Sequence, residues 1–156
     1  MRWPSEEELD SLVARFHSRT LPKSEWTHQA HLSVGTWHVH RLGPDEALLR
    51  LRTGIRLLND AHGTPNTASS GYHETITRAY VMLLADFIAS RDGQPAASCA
   101  QSLLAGPLAA RDALLTFYSK DLLMSVKARR EWVAPDKCSL PTADSRQQTP
   151  ESGAGR

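Results

Sequence analysis

The dipeptide Gly43-Pro44 constrains this chain more than any other feature. Glycine ends a helix readily, and proline is favoured in the first turn of the next one. Helical apolar spacing lies on both sides. Two helices are therefore predicted to meet with almost no loop between them, which makes them antiparallel neighbours in a bundle. The other segments obey the same punctuation. Ser5 and Glu8 form an S-x-x-E capping box before Leu9, Leu12, Val13 and Phe16. Helix two is capped by Ser24 or Thr27 and runs to about Leu42. Helix three spans about Pro44 to His62, with Leu48, Leu51, Ile55 and Leu58 inward and Gly63 as its stop. The polar segment Thr64 to Gly71 is a loop, and helix four runs from about Tyr72 to Ser90. Shorter helices are expected over about Ala96–Ala105, Leu108–Leu123 and from the cap Ser125 to Trp132. No alternating strand pattern occurs. The fold class is all-α, an antiparallel bundle of four main helices with additional short C-terminal helices. Residues 1–138 form a single domain. The remaining 139–156 are rich in Ser, Thr, Gln, Gly and Pro and are expected to be a disordered tail.

Composition narrows the function classes. A formal net charge of +1 supplies no strong field for nucleic acid or a membrane surface. The apolar run Tyr80 to Ala89 is interrupted by Asp86 and is too short to span a bilayer. Cys99 and Cys138 make neither a disulfide framework nor a zinc-finger spacing, and the acidic N-terminus has no apolar leader. A cytoplasmic location is the expectation.

The chemistry-bearing residues are histidines. Glu25-Trp26-Thr27-His28-Gln29-Ala30-His31-Leu32 sits at the start of helix two, and Gly71-Tyr72-His73-Glu74-Thr75-Ile76-Thr77 at the start of helix four. At ~100° per residue, His28, His31 and His38 all turn away from the wet side of helix two, and His73 falls on the apolar face of helix four. His62 ends the inward face of helix three. Antiparallel packing then brings His17, His28, His31, His62 and His73 to one end of the bundle. His38 lies deeper, and His40 is expected to be exposed.

Three explanations fit that cluster. The leading one is a catalytic site for a divalent metal, zinc or iron, with His28, His31 and His73 as ligands and His62 as a further ligand or outer partner. Glu74 or Glu25 would be the general base, and Tyr72, Thr77 and Asn66 would line a pocket for a small-molecule ligand. The second is a metal-free binding module or acid/base enzyme in the same pocket. The third is a hydrogen-bonded polar layer of purely structural meaning. A separate possibility is a partner-binding or homo-oligomeric protein with Trp3 or Trp132 in an exposed apolar patch. Arg50, Arg52 and Arg56, and Lys127, Arg129 and Arg130, read as solvated faces, and no Gly-rich phosphate loop is present.

With these motifs in view, the chain resembles a group of small bacterial all-α proteins of uncharacterised function. The resemblance rests on Leu21 to Leu32, on Gly71 to Thr77, and on a third block from Leu123-Met124-Ser125 to Arg129-Arg130-Glu131-Trp132-Val133. It implies a compact bacterial domain and no particular reaction. The layout is also similar to DinB/YfiT-type bundles, in which three histidines on facing helices hold a metal. That similarity is architectural, because Thr77 stands one turn after His73 where a second histidine would be needed.

Overall fold

A computed structural model describes residues 4–141. Among them the chain is all-α, with no strand. Helix α1 spans Glu6–Ser18 and α2 spans His28–Leu42. Helix α3 spans Pro44–Ala61, α4 spans Glu74–Ala89 and α5 spans Ala96–Leu104. The short α6 (Lys120–Leu123) and α7 (Val126–Arg130) follow. Each start has a local cause. The Ser5 hydroxyl accepts the Glu8 N–H, and three acidic side chains occupy the first turn of α1. The Thr27 hydroxyl accepts the Ala30 N–H at the head of α2, and Ser125 does the same for α7. Gly43, at φ +79°, ends α2 and leads directly into Pro44.

Helix α2 is the centre of the molecule. It contacts α1, α3, α4 and α5, and Leu32, Val34, Gly35, Thr36, His38 and Val39 are all buried. Burial on so many sides explains its weak amphipathicity. Around it lies the main core, with Leu9, Val13 and Phe16 from α1, Leu51 and Leu58 from α3, Val81 and Leu84 from α4, and Leu103 from α5. The opposite side of α4 supports a second core of Ala79, Leu83, Leu114, Tyr118, Leu123, Ala128, Val133 and Leu140. Helix α4 is thus the partition between two apolar layers. The C-terminal segment is fastened to it by hydrogen bonds as well. The Thr75 hydroxyl donates to the Glu131 carbonyl and accepts the Val133 N–H, and the Tyr118 hydroxyl donates to the Val133 carbonyl.

Several boundaries differ from the sequence expectation. The single helix expected over 108–123 is two 3-10 turns, Pro107–Ala109 and Ala113–Thr116, and then α6. Its apolar residues still face inward, but from turns. Helix α4 begins at Glu74, because His73 is its N-cap and not a helical residue. The last helix stops at Arg130. Leu140 is buried in the second core, so the packed part extends past residue 138. The rest of the expected tail, residues 142–156, and Trp3 lie outside the described residues. No described helix is long and apolar enough to cross a membrane.

Candidate functional site

The cavity of interest lies between α2, α3 and α4 and has a volume of about 400 Å³. Leu32 and Gly35 of α2, Leu51 and Ile55 of α3, and Ile76, Val81 and Leu84 of α4 make its apolar wall. The polar groups on it are Thr27, His28, His31, Thr77, Tyr80 and Arg111. Gly35 keeps the space open, since a Cβ there would stand 3.0 Å from the Leu84 Cδ1. A second cavity of about 440 Å³ adjoins it. The two share Trp26, His31, Ile55, Ile76 and Thr77, and the second adds His62, Tyr72 and His73. His28, His31, His62 and His73 line these two adjoining cavities, whereas His17, expected at the same end, lines neither and pairs with the buried His38.

Their ring nitrogens, however, do not converge on an ion. Among the described residues no group of three or more His, Cys, Asp or Glu side chains could hold a metal. The expected metal centre of His28, His31, His73 and His62, and the metal-dependent activity built on it, are therefore corrected. The physical reason lies in backbone hydrogen bonds. His73 Nδ1 accepts the Ile76 N–H as the helix cap, and its Nε2–H donates to the Leu123 carbonyl at 2.7 Å. Both nitrogens are used, the tautomer is set, and burial lowers the pKa. His62 Nε2–H donates to the Leu21 carbonyl. His28 Nε2 is buried with no hydrogen-bond partner among the described residues. Burial first, and then the Arg111 charge, lower the pKa of His28 against the opposing pull of the Ala109 and Ala110 backbone.

His31 is the exception. Its Nδ1–H donates to the Thr27 carbonyl at 2.8 Å, which leaves the Nε2 lone pair without a hydrogen-bond partner among the described residues. The ring is stacked on Trp26, with centroids 3.7 Å apart and planes 29° apart. The residue is exposed to solvent, and desolvation of the ring nevertheless lowers its pKa, to about 4. His31 is therefore a neutral acceptor at physiological pH. The Tyr80 hydroxyl likewise has no partner among the described residues. Burial and the Asp112 charge raise its pKa, so it stays a phenol able to donate. Arg111 adds a fixed positive charge beside the cavity.

The two carboxylates expected to do acid/base work are placed differently. Glu74 is buried, and its oxygens accept from Arg52 Nε and Nη2 at 2.7 Å each, with the Tyr72 hydroxyl donating to Oε1 at 2.7 Å. Burial alone would raise its pKa, but the Arg52 and Tyr72 hydrogen bonds win and lower it. Glu74 is a held ionic clamp between α3 and α4 and lines neither cavity. Glu25 is exposed and paired with Arg15 at 3.2 Å. Of the expected pocket residues, Thr77 lines both cavities, Tyr72 lines the second, and Asn66 belongs to a separate cleft. His40 is half-buried, donating to the Gln94 carbonyl, where exposure was expected. Trp132 is half-buried under the Arg78 guanidinium at 4.8 Å from its ring.

Reading the sequence alone misses Tyr80, Arg111 and the pocket role of Trp26. Tyr80 and Trp26 look like ordinary core aromatics, and the hydroxyl of Tyr80 on an otherwise apolar helix face is the one available signal. Arg111 falls in a segment read as continuous helix, which hid its place at the cavity. Compared with known proteins, the chain matches no family model, no curated protein and no solved structure.

Proposed function

We propose that this protein binds a small, largely apolar molecule in the cavity between α2, α3 and α4, without a metal. The observation that carries this reading is the cavity itself. Its volume of about 400 Å³, its apolar wall and its few unpartnered polar groups are the usual features of a small-molecule site. The polar groups define the ligand's chemistry. His31 Nε2 accepts a hydrogen bond, the Tyr80 hydroxyl donates one, and Arg111 attracts a carboxylate or another anion. A flat aromatic or alicyclic body with one donor and one anionic group satisfies all three. Trp26, stacked on His31, offers such a body an aromatic edge.

Binding is favoured over acid/base catalysis by the state of His31. A general base works best with a pKa near the operating pH. At about 4, His31 is a poor proton acceptor in water and a good hydrogen-bond acceptor. The test is an NMR screen of the methyl-labelled protein with aromatic carboxylates such as naphthoate and benzoate. Shifts concentrated on Leu32, Ile55, Ile76, Val81 and Leu84 are expected. Shifts spread over the surface, or none, would refute the cavity as a binding site.

A further inference from the structure

A third concavity, the cleft that holds Asn66, has a volume of about 440 Å³ and is lined by Arg56, Asn66, Thr67, Ala68, Tyr72, Arg129 and Arg130. Three guanidinium groups on one concave surface repel one another and focus a positive field there, although the whole chain carries only +1. The neighbouring acids offset it only in part. Glu74 is held by Arg52 and Tyr72 and acts on Arg56 only through space, Asp60 keeps its charge while accepting from the Asn66 amide, and Glu131 pairs with Lys127. Among the described residues no carboxylate forms an ion pair with Arg56, Arg129 or Arg130.

The cleft is also built in advance. The Asn66 amide donates to the Arg56 carbonyl, and its oxygen accepts from Asn59 and from the Tyr72 N–H. Thr67 N–H donates to the Ser70 carbonyl, and the Thr67 hydroxyl accepts the Ser69 N–H, which leaves the hydroxyl proton to donate. Gly71 closes the loop at φ +78°, where a Cβ would stand 2.5 Å from the Pro65 carbonyl oxygen. Arg129 donates to the Gly71 carbonyl, and Arg56 lies 4.7 Å from the centre of the Tyr72 ring. Both guanidiniums are thereby oriented, with donors to spare.

We infer that this cleft binds the phosphate group of a small soluble ligand. Phosphate is favoured because forked guanidinium donors match its oxygens bidentately, and three of them exceed what one carboxylate can accept. A net charge of only +1 supplies no strong field for a nucleic-acid backbone. The cleft shares no lining residue with the apolar cavity, and meets only the second cavity beside it, through Tyr72 and Arg129.

The experiment titrates inorganic phosphate and pyrophosphate into the full chain at constant ionic strength, following backbone amide NMR shifts. Acetate is the control, and vesicles of phosphatidylcholine with phosphatidic acid are tested in parallel by sedimentation. Saturable shifts at Thr67 to Gly71, with pyrophosphate binding more tightly than acetate, are expected. Arg130→Glu, at an exposed position, should weaken binding by about tenfold or more, and Arg130→Lys by less. Equal response to acetate, unchanged binding by Arg130→Glu, or capture by vesicles without binding of soluble pyrophosphate would each overturn the proposal.

Discussion

His17 Nε2 and His38 Nε2 lie 2.8 Å apart, and only one arrangement of protons suits them. His38 Nδ1–H donates to the Val34 carbonyl, so its Nε2 carries the lone pair and His17 must donate to it. His38 is fully buried, and burial pushes its pKa down to about 4, with the Val34 carbonyl opposing and His17 and Arg50 adding to the effect. Two charged rings would face N–H against N–H.

This pair predicts an acid-sensitive fold. Because the folded pKa of His38 lies below its ordinary 6.5, the unfolded chain takes up the proton first. Stability from His38 is complete above about 6.5 and declines as pH falls from there towards about 4. His17, His28, His31 and His73 are all shifted the same way. Thermal melts should give a flat Tm above neutrality and a steady fall below it. His38→Leu should flatten that slope by an amount corresponding to about 1–3 kcal/mol over the window. A slope identical to wild type would show that His38 is not the group responsible.

His31 and His73 should separate cleanly on mutation. His73→Ala removes a helix cap and a buried bond to the Leu123 carbonyl, a loss of about 1–3 kcal/mol in denaturant unfolding. His31→Ala removes a ring at an open cavity and should cost less than about 1 kcal/mol while weakening ligand binding. A shared metal would make the two variants lose stability and metal together. Parallel behaviour would therefore contradict the assignment of separate roles.

The Arg52–Glu74 clamp gives a third expectation. Glu74→Ala leaves Arg52 and the Tyr72 hydroxyl without their acceptor. Arg52 is about one-third exposed, so water relieves part of the deficit, and the loss should be about 2 kcal/mol, below that of a fully buried pair. Equilibrium urea unfolding measures it. Glu74→Gln should recover only part, because a neutral amide cannot hold Arg52 as strongly. Wild-type stability in either variant would mean that the clamp is not formed in solution.

Gly71→Ala tests the loop before α4. Its left-handed backbone costs a non-glycine residue about 1–2 kcal/mol, and the close Pro65 carbonyl adds strain. The variant should melt lower and lose the amide shifts of the phosphate cleft. Unchanged melting would indicate that the loop adopts another path.

Much of this architecture is legible in the residues because its causes are local. Ser5, Thr27, Gly43-Pro44 and Ser125 announce helix ends wherever they sit, and the spacing of Leu9, Val13 and Phe16 needs no partner to be recognised. The segment after Pro107 defeats the same reasoning. Leu114, Leu115 and Phe117 carry enough apolar character for a helix, yet they are held by tertiary contacts such as the Tyr118 hydroxyl on the Val133 carbonyl. The site is half legible. Helical geometry brings His31, His62 and His73 to one end, but it cannot say which backbone carbonyl faces a ring nitrogen. Leu21, Thr27 and Leu123 supply carbonyls for that reason alone, and Leu123 is 50 residues from the histidine it serves. The pairing of Arg52 with Glu74, 22 residues apart, is invisible for the same cause.

The central claim is that the α2–α3–α4 cavity accepts a ligand with His31 as a neutral acceptor. Its most direct test is the affinity for an apolar anion, 1-anilinonaphthalene-8-sulfonate, in wild type, His31→Ala and the cavity-filling Ile55→Trp. Saturable binding by wild type at neutral pH is predicted, with about tenfold weakening or more in Ile55→Trp and a smaller loss in His31→Ala. Equal affinity in all three folded proteins would contradict the account.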